Sequence, residues 1–95
     1  MMTGTQLRAA RYAIGRAIGA EKLSWSDMAD LCGLLDPTGN GKVTVHKWEA
    51  GPGPSGPVGR LVDLILEGVT HSDREVRGFF INYVRDRESR RDVPF

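Results

Sequence analysis

The chain has little of what staples, anchors or arms a small protein. Its 95 residues include one cysteine, which excludes an intramolecular disulfide framework and fits a reducing cytoplasm. Cys32 falls in the apolar phase of its segment and is expected as a small buried hydrophobe. No apolar run approaches the ~20 residues of a membrane span, and the amino terminus carries no signal-peptide pattern. A cytoplasmic protein without a membrane partner is expected. Aromatics make up 7% of the residues, and His46 and His71 are the only histidines. With no Cys-x-x-Cys, phosphate-binding glycine loop or nucleophile context, neither an enzyme, a metal centre nor a cofactor is expected. An excess of one charge is also missing, because the net charge is +1. A nucleic-acid partner would therefore have to be met by a local basic face, since affinity follows the phosphates neutralised at the contact.

Residues 1–47 hold six Lys/Arg against four Asp/Glu, and residues 48–70 hold one against three. An apolar fraction of 40% is enough for one modest core and argues against wholesale disorder. Thr3-Gly4-Thr5-Gln6 has the form of a capping box, and Leu7, Ala10, Ile14, Ala17 and Ile18 recur at helical spacing. These predict a first helix over about 5–19, with Gly19 as its stop. Ser24 with Asp27 marks a second start, Met28, Leu31 and Cys32 form its buried stripe, and Gly33 closes it. Residues 35–41 are turn-rich. Val43-Thr44-Val45 reads as either a short strand or a helix; Asn40 as N-cap and the Val45/Trp48 spacing favour a helix ending at Gly51. A fourth helix starts near Ser55–Pro57 and buries Val58, Leu61, Val62, Ile65 and Leu66. Ser72-Asp73-Arg74-Glu75 is a capping box for a fifth, with Val76, Phe79, Phe80, Tyr83 and Val84 on one face and a charged, solvated end from Arg85 that frays into Asp92-Val93-Pro94-Phe95. The fold class is all-α, with five helices.

Leu7-Arg8-Ala9-Ala10-Arg11, Leu23-Ser24-Trp25-Ser26-Asp27-Met28-Ala29-Asp30-Leu31-Cys32-Gly33 and Thr44-Val45-His46-Lys47-Trp48-Glu49-Ala50-Gly51 together resemble the Cro/C1-type (XRE-like) helix-turn-helix repressor family. The resemblance spans roughly residues 6–68 and implies a lambda-repressor-like core over 1–69, with 70–95 as a C-terminal helix and charged tail. It departs from the family in Trp25, where a Gln often touches the DNA backbone, and in about six extra residues before the second helix and six in the turn. It implies a sequence-specific DNA-binding regulator, a repressor acting on its own operon, of the kind common in phage and mobile elements, including anti-CRISPR operons. Helix 42–50 would enter the major groove with Val45, Trp48 and Ala29 as anchors and Lys42, Thr44, His46 and Lys47 outward. Asn40, Ser24 and Trp25 would complete the contact, and Arg11 with Glu49 would tie the first helix to the recognition helix. The Val76/Phe79/Phe80/Tyr83/Val84 face would make a homodimer on an inverted-repeat operator. A protein-interaction adaptor on the same scaffold is the alternative.

A third reading comes from Asp36-Pro37-Thr38-Gly39-Asn40-Gly41-Lys42-Val43, which imitates a calcium-binding EF-hand loop. Its twelfth position, a bidentate Glu in that loop, is Lys47, so calcium binding is not expected.

Overall fold

The computed structural model describes residues 2–34 and 40–91, the side chains of Asn40 and of residues 87–91 excepted. Among them are five α-helices and no strand: α1 (Gly4–Ala17), α2 (Trp25–Leu31), α3 (Asn40–Ala50), α4 (Gly56–Val69) and α5 (Arg74–Arg91). Most of the expected turn (residues 35–39) and the end of the tail (residues 92–95) lie outside the described residues.

Local chemistry sets the helix ends. The Thr3 hydroxyl accepts from the Gln6 amide while the Gln6 side chain accepts from the Thr3 amide, closing the expected box at 3.1 and 2.8 Å. Ser24 Oγ accepts from the Asp27 amide at 3.0 Å and starts α2. α1 and α2 stop where Gly19 and Gly33 take positive φ (90° and 82°), a left-handed turn that residues with a Cβ adopt at a cost. Ile18 is accordingly the C-cap, so α1 ends two residues before the expected boundary.

One expectation for α5 is corrected. Its cap is Asp73 rather than Ser72: the Asp73 carboxylate accepts from the amides of Glu75 (2.9 Å) and Val76 (3.2 Å), which a residue placed one position earlier does not do here. The helix runs on to Arg91, and the fraying expected at residues 92–95 lies outside the described residues. Arg85 donates through Nη2 to the Ile18 carbonyl at 3.1 Å and pins α5 to the end of α1. That carbonyl is one of the orphan acceptors a helix end leaves behind, so the bond satisfies both elements.

Leu7, Ile14, Leu23, Met28, Val45, Val62, Val69 and Val84 are fully buried, so every helix and the α1–α2 connection contribute to one core. Burial also decides the ambiguous β-branched run. Val45 is completely enclosed in α3, and that tertiary gain outweighs the weak helical preference of Val43-Thr44-Val45. Where α2 meets α3, a Cβ at Gly41 would come within 3.1 Å of the Ala29 methyl, so small residues let the helices approach, as expected for Ala29. Asn40 to Lys47, the fifth to twelfth positions of the imitated calcium loop, are continuous helix instead of an open ligating loop.

The expected free face of α5 is divided. Val84 is buried in the protein's own core and half-buried Phe80 lies against Gly68 of α4, where any Cβ would strike its ring. Val76 is half-buried as well, and only Phe79 and Tyr83 are exposed. Five apolar residues at helical spacing span more arc than one solvent face, and α4 takes the part nearest to it.

Candidate nucleic-acid interface

Arg11 is buried, with 4% of its surface exposed, and its side chain ties α1 to two later parts of the chain. Its Nε donates to Glu49 Oε2 at 2.7 Å and its Nη2 to Glu49 Oε1 at 3.1 Å, a bidentate fork from α1 to the last turn of α3. Its Nη1 donates to the Leu23 carbonyl at 2.7 Å, while the Leu23 amide donates to the Arg11 carbonyl at 3.3 Å. One side chain thus fixes the approach to α2 and the C-terminal end of α3 together. The expected tie between Arg11 and Glu49 is present.

Two aromatic rings flank the ion pair. The guanidinium lies 5.1 Å from the Tyr12 ring centre and 5.4 Å from that of Trp25. Trp25 Nε1 donates to Glu49 Oε1 at 3.4 Å, and His46 meets the Trp25 ring edge-on at 4.6 Å. Trp25 and His46, selected separately in the sequence, are therefore neighbours on one surface. Ser24 is exposed beside them.

Along α3 the exposed residues are Lys42, Val43, His46, Lys47 and Ala50, a continuous stripe at i, i+1, i+4, i+5 and i+8. Val45 faces the opposite way into the core, and Trp48 packs against it, half-buried. Thr44 does not join the stripe: it is half-buried, and Val43 stands exposed in its place. Residues two apart on a helix point about 200° from one another, so Lys42, Thr44 and His46 do not share one face. The spacing itself carried that signal. Asn40 is the first residue of α3.

Three further residues enter the site. A groove of about 510 Å³ beside α3 is lined by Arg8, Tyr12, Lys22, Ser24, Trp25 and His46 around the Arg11–Glu49 pair. Arg8 and Lys22 both face Tyr12, at 5.8 and 5.3 Å from its ring centre, and the Lys22 ammonium donates to the phenol at 3.5 Å. Hydrogen bonding to Arg8 and then to Lys22 lowers the Tyr12 pKa from its ordinary value, the mark of a positive local field. Among the described residues Glu49 is the one acid lining the groove and is engaged by Arg11, so none of the described carboxylates there is left for Arg8 and Lys22. Arg8 and Tyr12 are four apart on a helix and could have been paired from sequence; Lys22 reaches them only through the chain reversal at Gly19.

No family model, no curated protein and no solved structure matches this chain.

Proposed function

We propose that the protein is a double-stranded DNA-binding transcriptional regulator that sets α3 in the major groove. The observation that carries this reading is the build of α3. Its outward stripe of Lys42, Val43, His46 and Lys47 is backed by enclosed Val45 and locked to α1 through Glu49. A groove-reading helix needs such a division, with hydrogen-bonding groups and an apolar side chain outward and a rigid anchor behind. Lys47 and Lys42 are the readers or phosphate contacts, Val43 meets a thymine methyl, and Arg8, Lys22, Ser24 and Trp25 flank the strand. A homodimer on an inverted repeat, acting as a repressor of its own operon, is the form of regulation proposed. A protein-interaction adaptor is the second reading, favoured by the net charge of +1 and by Phe79, which is 67% exposed.

Gel-shift titration on the region upstream of the protein's own gene separates the two. Specific DNA binding that weakens steeply with salt supports the regulator; equal, feeble binding to all duplexes supports the adaptor. Lys47→Ala should leave the thermal midpoint unchanged, because the side chain is exposed, and weaken operator binding by about 1–3 kcal/mol if it reads a base. Lys22→Ala should weaken all sequences alike and lower the salt slope by about 1.

A further inference from the structure

Outside the groove, the outer side of α4 carries an unpartnered pattern. Arg60, Asp63, Leu64 and Glu67 are all exposed and succeed one another at i, i+3, i+4 and i+7 along a single stripe. Leu64 is 56% exposed, exceeded only by Phe79 among the described large apolar residues. The side chains of Arg60, Asp63 and Glu67 make no hydrogen bond or ion pair among the described residues. The stripe lines one side of a shallow groove of about 1160 Å³ between α1 and α4, which also holds the small Ala9, Ala10, Ala13 and Gly59 and, from α1, Gln6 and Arg16.

We propose that this stripe binds a second copy of the chain, with the two α4 helices antiparallel about a two-fold axis. The argument is charge complementarity in register. Reversing the stripe about the midpoint between Asp63 and Leu64 puts Arg60 of each copy opposite Glu67 of the other. The same axis sets Leu64 against Leu64 and Asp63 against Asp63, so the two Arg60–Glu67 pairs have to outweigh one like-charge contact between carboxylates. The two Arg–Glu pairs recur about 10 Å apart, the rise of seven helical residues. In a parallel pairing like would face like at all three charged positions, so Arg60 and Glu67, which attract in the antiparallel orientation, repel in the parallel one. Antiparallel alignment also sets each helix N-terminus beside the partner's C-terminus. The surface replaces the divided face of α5 as the dimer contact. It rests on the dimeric DNA-binding reading for its role, but the association is measured without DNA.

Sedimentation equilibrium of the full chain from about 10 to 200 µM, a range that covers dissociation constants of tens of micromolar, is the test. Wild type should dimerise reversibly. Arg60→Glu and Glu67→Arg should each weaken dimerisation at least about tenfold, because either creates two like-charge pairs. The doubly exchanged chain, Arg60→Glu with Glu67→Arg, should regain the dimer. A mixture of the two single variants should form the heterodimer, since both pairs between positions 60 and 67 are then opposite in charge. All four residues are exposed, so circular dichroism should report unchanged folding. A monomeric wild type, single variants that dimerise as well as wild type, or a folded double exchange that stays monomeric would each overturn the proposal. Loss of operator binding with the dimer intact would count against the DNA reading alone.

Discussion

The chain uses charge in two opposite ways. Between α1 and α3, Arg11 and Glu49 are withdrawn from water, their side chains 5% and 7% exposed, and every Arg11 nitrogen has an acceptor. On α4, Arg60, Asp63 and Glu67 stand in water without a partner among the described residues. Buried charge tolerates one geometry, because a missing partner leaves desolvation uncompensated; exposed charge contributes little to folding and is free to choose among partners. The first region is therefore expected to set the posture of α3, and the second to choose which partner surface meets α4.

The largest effect should come from breaking the buried pair. Glu49→Ala would leave the Arg11 guanidinium with the Leu23 carbonyl as its remaining hydrogen-bond acceptor, at a cost of about 3–5 kcal/mol in urea unfolding. Replacing both partners, Arg11→Met with Glu49→Leu, should recover much of the loss while loosening α3 and impairing the proposed DNA contact. Glu67→Ala on the exposed stripe should stay within about 0.5 kcal/mol of wild type. Comparable losses at Glu49 and Glu67 would erase the distinction between the two regions.

Glycine sharpens the same contrast at smaller scale. A Cβ at Gly15 would run into the backbone of Lys22 and Leu23, the segment that Arg11 holds against α1. Gly15→Ala should therefore cost about 1–3 kcal/mol despite the better helix propensity of alanine. At Gly78 of α5 nothing lies within 4 Å of an added Cβ, and Gly78→Ala should stabilise by about 0.5–1 kcal/mol. Thermal denaturation of both variants decides whether the close crossing over α1 is as unyielding as its backbone contacts imply.

The two regions also differ in how far the sequence revealed them. Five helices were legible because apolar periodicity and side-chain caps are local signals: Thr3, Ser24 and Gly33 act where they stand. The inward place of Val45, the small Ala29 and the Arg11–Glu49 tie came from a family resemblance, and the geometry bears out each of those contacts without testing the family. What escaped was arrangement between elements. Lys22 joins Arg8 and Tyr12 only after the chain reverses, and the same reversal lays the Lys22–Leu23 backbone across Gly15. Phe80 and Val84 looked free because α4, which covers Phe80, and the core that takes Val84 are assembled from distant sequence. Thr44 could have been sorted correctly by helical spacing alone.

The smallest effect concerns Asp73, a charge that is exposed yet bound to the backbone, and so stands between the two regimes. The amides of Val76 and then Glu75 hold its carboxyl below the ordinary value, with His71 and Arg77 adding to the shift. A lowered folded-state pKa means that the charged form is the one folding prefers. Its contribution is complete above the unfolded value of about 3.9 and is lost as the pH falls through the lower folded value. Asp73→Asn keeps a good neutral cap but removes the charge from the positive end of the α5 dipole. Wild type should therefore exceed Asp73→Asn in thermal midpoint at pH 6, and the gap should close on acidification below about pH 4. A gap that persists unchanged to pH 2.5 would show that the carboxylate acts through its shape as an acceptor. Asp73 would then belong with the exposed charges of α4, which folding does not sense, rather than partway toward the buried pair.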